Sequence, residues 1–199
     1  MAHALARGFA DPVLESQRVF RAVMEALARP GRLQSLETDL RPPAPLTPEL
    51  AAVALTLADH EAPLWLDRAL AGTPEVASYL RFHTGAAVVA NPREAALALV
   101  ADPARMPPLS DFALGTLEYP DRSTTVVVAV GSLSGRSGWH LRGPGIDGSA
   151  MLSATPLHDG FTNELRANHA RFPQGVDLLF VAPGQVAGLP RSTALIGEA

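Results

Sequence analysis

At Asp11-Pro12, Thr47-Pro48, Thr73-Pro74 and Asn91-Pro92 this chain sets a helix-capping residue directly before a proline. A capping side chain satisfies a free N–H of the first turn, and proline tolerates the first helical position because it has no N–H to leave unpaired. Each pair therefore fixes where a helix or helical turn begins. After the first, Val13, Gln17, Phe20, Val23, Met24 and Leu27 recur at helical spacing and predict a mostly apolar face that stops at Pro30-Gly31. After the second, Leu50, Val53, Ala54 and Leu57 repeat in the same way, with Pro63 marking the end. The third helix is short, and Gly85 is its C-cap.

Strand signals fill the intervals. "LWL" (Leu64 to Leu66), "AAVVA" from Ala86 and "AALALVA" from Ala95 are short apolar runs, and "STTVVVAV" (Ser123 to Val130) is strongly β-branched. "GWHLRG" is expected to be the hairpin partner of that last strand, with "GSLSG" (Gly131 to Gly135) as a turn. "PLHDGFTNELRANHARF" reads as a helix, and "VDLLFV" and "VAGLP" as a hairpin about "APGQ". Helices first and hairpins late predict an α/β fold, a sandwich with a mixed β-sheet flanked by helices. Without repeats or a linker, residues 1–199 are expected to form one domain.

Composition removes several chemistries. The chain has no cysteine, which excludes disulfides, thiolate nucleophiles and Cys-ligated zinc or iron–sulfur clusters. All sixteen basic residues are arginines, so there is no lysine for a pyridoxal phosphate Schiff base or a Walker A loop. A net charge of −4 gives no general attraction to nucleic acid. No apolar run approaches the roughly 20 residues needed to span a bilayer, and "MAHALARGFADP" lacks an export signal. The expectation is a soluble protein that stays in the cytoplasm and binds neither nucleic acid nor membrane.

The polar candidates are local. In "YLRFHTGA", Arg81 and His83 diverge by about 200° on a helix and converge only if the chain unwinds at Thr84-Gly85. Asp59 falls near a helix C-terminus, where a carboxylate opposes the helix dipole, so it is expected to pair with an arginine such as Arg81. In "LPRST", Arg191 and Thr193 follow a strand and either meet an anion or tie down the tail. "GPGIDG" has dinucleotide-type glycine spacing, but "SAMLSATP" leaves room for at most two helical turns. Gly143 and Gly145 are therefore read as a turn that exposes backbone N–H groups. Asp59, His60, Glu61, His83, His158, Asp159 and His169 lack HExxH spacing, and no metal site is expected.

Taken in order, "VFRAVMEALARPGRL", "LTLADHEAPLWL", "LRFHTGA", "LRGPGI", "FPQGVDLLFV" and "LPRST" resemble the H subunit family of the bacterial carbon–phosphorus lyase system, from about Phe9 to about Thr193. The resemblance implies a homodimer with the fold of pyridoxal-phosphate-dependent transferases but without their cofactor site. It implies assembly with G, I and J subunits. In that system the I subunit, supported by G, H and L, transfers methylphosphonate to the ribose of ATP and displaces adenine, and the J subunit later breaks the carbon–phosphorus bond. The resemblance implies that the H subunit is required, with no chemical step assigned to it. The expectation is thus a non-catalytic, ligand-positioning subunit without a cofactor. Its first ligand contacts would be Arg81, His83 and Thr84, with Asp59 orienting Arg81 and with Arg191, Thr193, Gly143 and Gly145 as second choices. The alternative is a stand-alone, metal-assisted phosphate-ester or nucleotide enzyme acting through His83 and Asp59.

Overall fold

The computed structural model describes residues 5–197. Each of these four pairs opens a helical element, although the Thr73 side chain makes no capping bond. In α1 (Pro12–Ala28), Asp11 Oδ1 accepts from the N–H groups of Val13 and Leu14, and Glu15 Oε1 accepts from Asp11 N–H at 2.8 Å. Thr47 Oγ1 caps α2 (Pro48–Leu57) through Leu50 N–H. Asp67 caps α3 (Arg68–Ala71), and α4 (Pro74–Thr84) begins after Thr73. Asn91 opens only a 3-10 turn, Pro92–Glu94. The last helix, α5 (Phe161–His169), takes the second half of the segment read as helical.

Seven strands form one mixed sheet: β1 (Gln34–Ser35), β2 (Leu64–Leu66), β3 (Val88–Val89), β4 (Leu97–Val100), β5 (Thr125–Ala129), β8 (Asp177–Ala182) and β9 (Gln185–Leu189). Their order is β1-β9-β8-β5-β4-β2-β3. The run from β8 to β3 is parallel, whereas β9 is antiparallel to both β8 and β1. Alternate side chains feed two cores, as strand pleating requires. Leu97, Leu99, Val127 and Leu179 pack with α1, α2 and α4, while Ala98, Val100, Val126, Val128 and Phe180 face the opposite side. That second side is covered by α5 and by a three-stranded antiparallel sheet of β6 (Ser132–Arg142), β7 (Ala150–Thr155) and β10 (Ala194–Leu195). The α/β class and the mixed sheet match the sequence reading, but one flank is largely a second sheet rather than helices.

Three local expectations are corrected. "GWHLRG" does not pair with β5: it lies in β6, between β7 and β10, while β5 runs between β4 and β8. Val126, Val127 and Val128 are all buried, the pattern of a central parallel strand covered on both faces. "GSLSG" is the start of β6 rather than a turn, and "SAMLSATP" holds β7, so a strand and not a helix follows "GPGIDG". On α1, the side chains facing the core are Val19, Val23 and Ala26, whereas Val13, Phe20 and Met24 are exposed. The cause is a backbone approach: a β-carbon on Gly188 of β9 would stand 2.6 Å from the Ala26 carbonyl. Contact that close requires the small residue against the sheet and rotates the larger ones outward.

The sequence gives no warning of Asp67, which is only 3% exposed at the carboxyl end of β2. Its Oδ1 accepts from Leu70 N–H at 2.9 Å, and its Oδ2 from Ala101 and Asp102 N–H, both at 2.8 Å. This carboxylate joins the ends of β2 and β4, where the direction of strand succession reverses and open α/β sheets usually leave a ligand crevice.

Candidate functional site

The last turn of α4 carries the polar motif and ends on Gly85, whose φ of +72 closes the helix in the left-handed conformation. Tyr79 and His83 are one turn apart and face the N-terminal segment. Tyr79 OH donates to the Arg7 carbonyl at 3.2 Å, and His83 Nε2 donates to the Ala6 carbonyl at 3.0 Å. Tyr79 is fully buried, and burial pushes its phenol above the ordinary value, which keeps the donor proton in place. The His83 ring meets Tyr79 and Phe82 edge-on, with centroids 4.6 and 5.0 Å apart.

The pinned segment roofs an open groove of about 940 Å³. Its walls are residues 5–10, the irregular segment at 39–41 after β1, Glu15 of α1, and Phe82 and His83 of α4. Arg7, Arg41 and Asp39 bring charge to it, and Phe82 stands 73% exposed at its edge.

Among the first-choice residues, only His83 lines this groove. Arg81 is exposed and does not line it. Thr84 Oγ1 donates to Leu80 O at 2.7 Å and accepts from Ala86 N–H, so its hydroxyl finishes the helix. Asp59 does not pair with Arg81: its Oδ1 accepts from Glu61 and Ala62 N–H, and no ion pair joins the two among the described residues. The following turn supplies the compensation that the helix end demanded, so no arginine is needed.

Of the second-choice residues, Arg191, Gly143 and Gly145 are already engaged by the protein. Arg191 donates to Asp177 at 2.7 Å and to the Pro120 and Gly175 carbonyls. Thr193 is buried with no partner for its hydroxyl, beside Gly143. Gly145 presses so closely on the Ala28 carbonyl that no side chain fits there. This cluster ties the tail and the β6–β7 turn to α1. No group of three or more His, Cys, Asp or Glu side chains among the described residues is placed to hold a metal. The groove residues that sequence reasoning missed, Arg7, Arg41 and Asp39, lie far from "YLRFHTGA" in the chain, and no spacing rule joins them.

The family described as "Bacterial phosphonate metabolism protein (PhnH)" matches residues 7–196. The chain belongs to the PhnH family. A relative from Rhizobium meliloti (strain 1021), named the PhnH subunit of alpha-D-ribose 1-methylphosphonate 5-triphosphate synthase, is 46% identical over 190 residues, covering 96% of this chain and 94% of its own. A second, the putative C-P lyase subunit protein HtxG of Stutzerimonas stutzeri, is 40% identical over 82 residues, 40% of this chain and 41% of its own. The PhnH match begins at Arg7, so α4 and all of the groove lining except Leu5 and Ala6 lie within the family's extent.

Proposed function

We propose that this PhnH-family protein is a subunit of α-D-ribose 1-methylphosphonate 5-triphosphate synthase in phosphonate breakdown, and that it supports assembly and ligand positioning without a chemical step of its own. The observation that carries this reading is the nearly end-to-end match to a relative bearing that name. In this reading residues 1–199 are one domain, and the protein is a cytoplasmic homodimer that joins the G, I and J subunits. Its fold is that of a pyridoxal-phosphate-dependent transferase without the cofactor site. A mixed sheet with a parallel centre supports the fold relation, and a chain whose basic residues are all arginine has no side chain to carry the cofactor as a Schiff base.

The placement of His83 and Asp59 gives the stand-alone enzyme reading no support. His83 is committed to the Ala6 carbonyl, and Asp59 to its own turn. Size-exclusion chromatography of the purified protein mixed with G, I and J subunits tests the proposal. A shared peak is expected, and a protein that elutes alone at every ratio rejects it.

A further inference from the structure

The groove under the N-terminal segment contains charged and aromatic groups that the fold itself does not use. Arg7 and Arg41 line it, both exposed, and neither side chain makes a hydrogen bond or ion pair among the described residues. Of the two carboxylates there, Glu15 is engaged with Asp11 N–H at 2.8 Å. Among the described residues that leaves Asp39 as the unengaged carboxylate of the groove, against the two guanidiniums. Phe82 is 73% exposed on the rim, which leaves its ring open to a ligand in the groove.

Each element matches one part of a single ligand class. A guanidinium fork binds phosphate oxygens in a bidentate way, and two of them suit a chain of phosphates. An exposed aromatic face stacks on a nucleobase. A carboxylate accepts from sugar hydroxyls. The volume of about 940 Å³ lies at the upper end of ordinary small-molecule pockets, which run to roughly 1,000 Å³.

We propose that this groove binds a nucleoside triphosphate, with Arg7 and Arg41 on the phosphates, Phe82 on the base and Asp39 on the ribose. Tyr79 and His83 then act as positioning residues: they hold the carbonyls of Arg7 and Ala6 and so set the Arg7 side chain over the groove. The inference rests in part on the subunit reading, because the relative's printed product is a ribose 5-triphosphate.

Isothermal titration of the isolated full chain at low salt, with ATP, tripolyphosphate and adenosine as separate probes, tests it. ATP is expected to bind saturably. Arg7→Gln and Arg41→Gln should each weaken both ATP and tripolyphosphate by about tenfold or more. Phe82→Ala should weaken ATP and leave tripolyphosphate unchanged. Arg136→Gln, an exposed arginine on β6 outside the groove, should change neither. The proposal is overturned if ATP shows no saturable binding, if Arg41→Gln leaves ATP affinity intact, or if Arg136→Gln lowers it equally. Chromatography with the partner subunits separates the two claims. A protein that joins the complex without binding ATP ends the groove proposal alone, and one that binds ATP here but never joins ends the subunit reading alone.

Discussion

Gly8 packs flat on the imidazole of His83: a β-carbon there would stand 2.8 Å from Nδ1 and 3.0 Å from Cε1. The ring has no room to retreat, because Tyr79 and Phe82 hold it from other sides. Gly8→Ala is therefore expected to lift the N-terminal segment and break the His83 to Ala6 hydrogen bond. Global stability should fall by only about 1 kcal/mol, since the segment is peripheral. Hydrogen exchange checks this, with faster exchange expected across residues 5–10 and an unchanged core. Equal protection in the variant would contradict the packing.

Tyr79 gives a prediction with a pH sign. Its raised phenol value means that the folded state keeps the proton after the unfolded chain begins to release it, near pH 10. The resulting stability is fully present below about pH 10 and is lost as pH rises from there through the folded value. Tyr79→Phe should cost about 1 kcal/mol at neutral pH through the lost bond to the Arg7 carbonyl. The gap between wild type and variant should then narrow above about pH 10, because the variant has no phenol to ionise. Urea denaturation from pH 7 upward, at constant ionic strength, measures both. A gap that widened with pH would contradict the assignment.

Asp67 should be among the least replaceable residues. Asp67→Ala strips three backbone N–H groups, one buried and two half-buried, of their acceptor, which should cost about 3 kcal/mol. Asp67→Asn is not expected to rescue it, because one side of the amide must point a donor at N–H groups that also donate. Denaturation midpoints of the two variants check this, and near wild-type stability of the Asn variant would show that the ends of β2 and β4 are not held as described.

Arg191 is expected to behave as a structural tie. Lysine cannot reach Asp177, Pro120 O and Gly175 O together, so Arg191→Lys should lose about 2 kcal/mol, against a charge-conserving swap that looks harmless in sequence. Thermal melting at fixed pH measures the loss. An unchanged melting temperature would return this residue to the list of candidate ligand contacts.

Helix starts were legible in the sequence because the signal is local. Asp11, Thr47 and Asn91 each bond to N–H groups two or three residues on, and a reader of the chain sees the whole interaction. Most strands, and the local β8–β9 hairpin, were legible for the same reason, but β7 and the partners distant in the chain were not. β5 pairs with β4 and β8, and "GWHLRG" with a strand that alanine and serine disguise. Of the candidates in "YLRFHTGA", His83 alone reaches a groove, from the last turn of α4. The Arg81 to Asp59 pairing failed because the turn after Asp59 supplies its own donors. Arg7 and Arg41 could not be found locally, since the bond that places Arg7 spans 72 residues.

The central claim is that this protein is a required, chemically inert subunit of the synthase. The measurement that tests it most directly is adenine release from ATP plus methylphosphonate by the purified G, I and L subunits, with and without this protein, alongside the protein alone. The account predicts release that depends on adding the protein and none from the protein by itself. Turnover of a nucleotide or phosphate ester by the isolated protein, or full release in its absence, would contradict it.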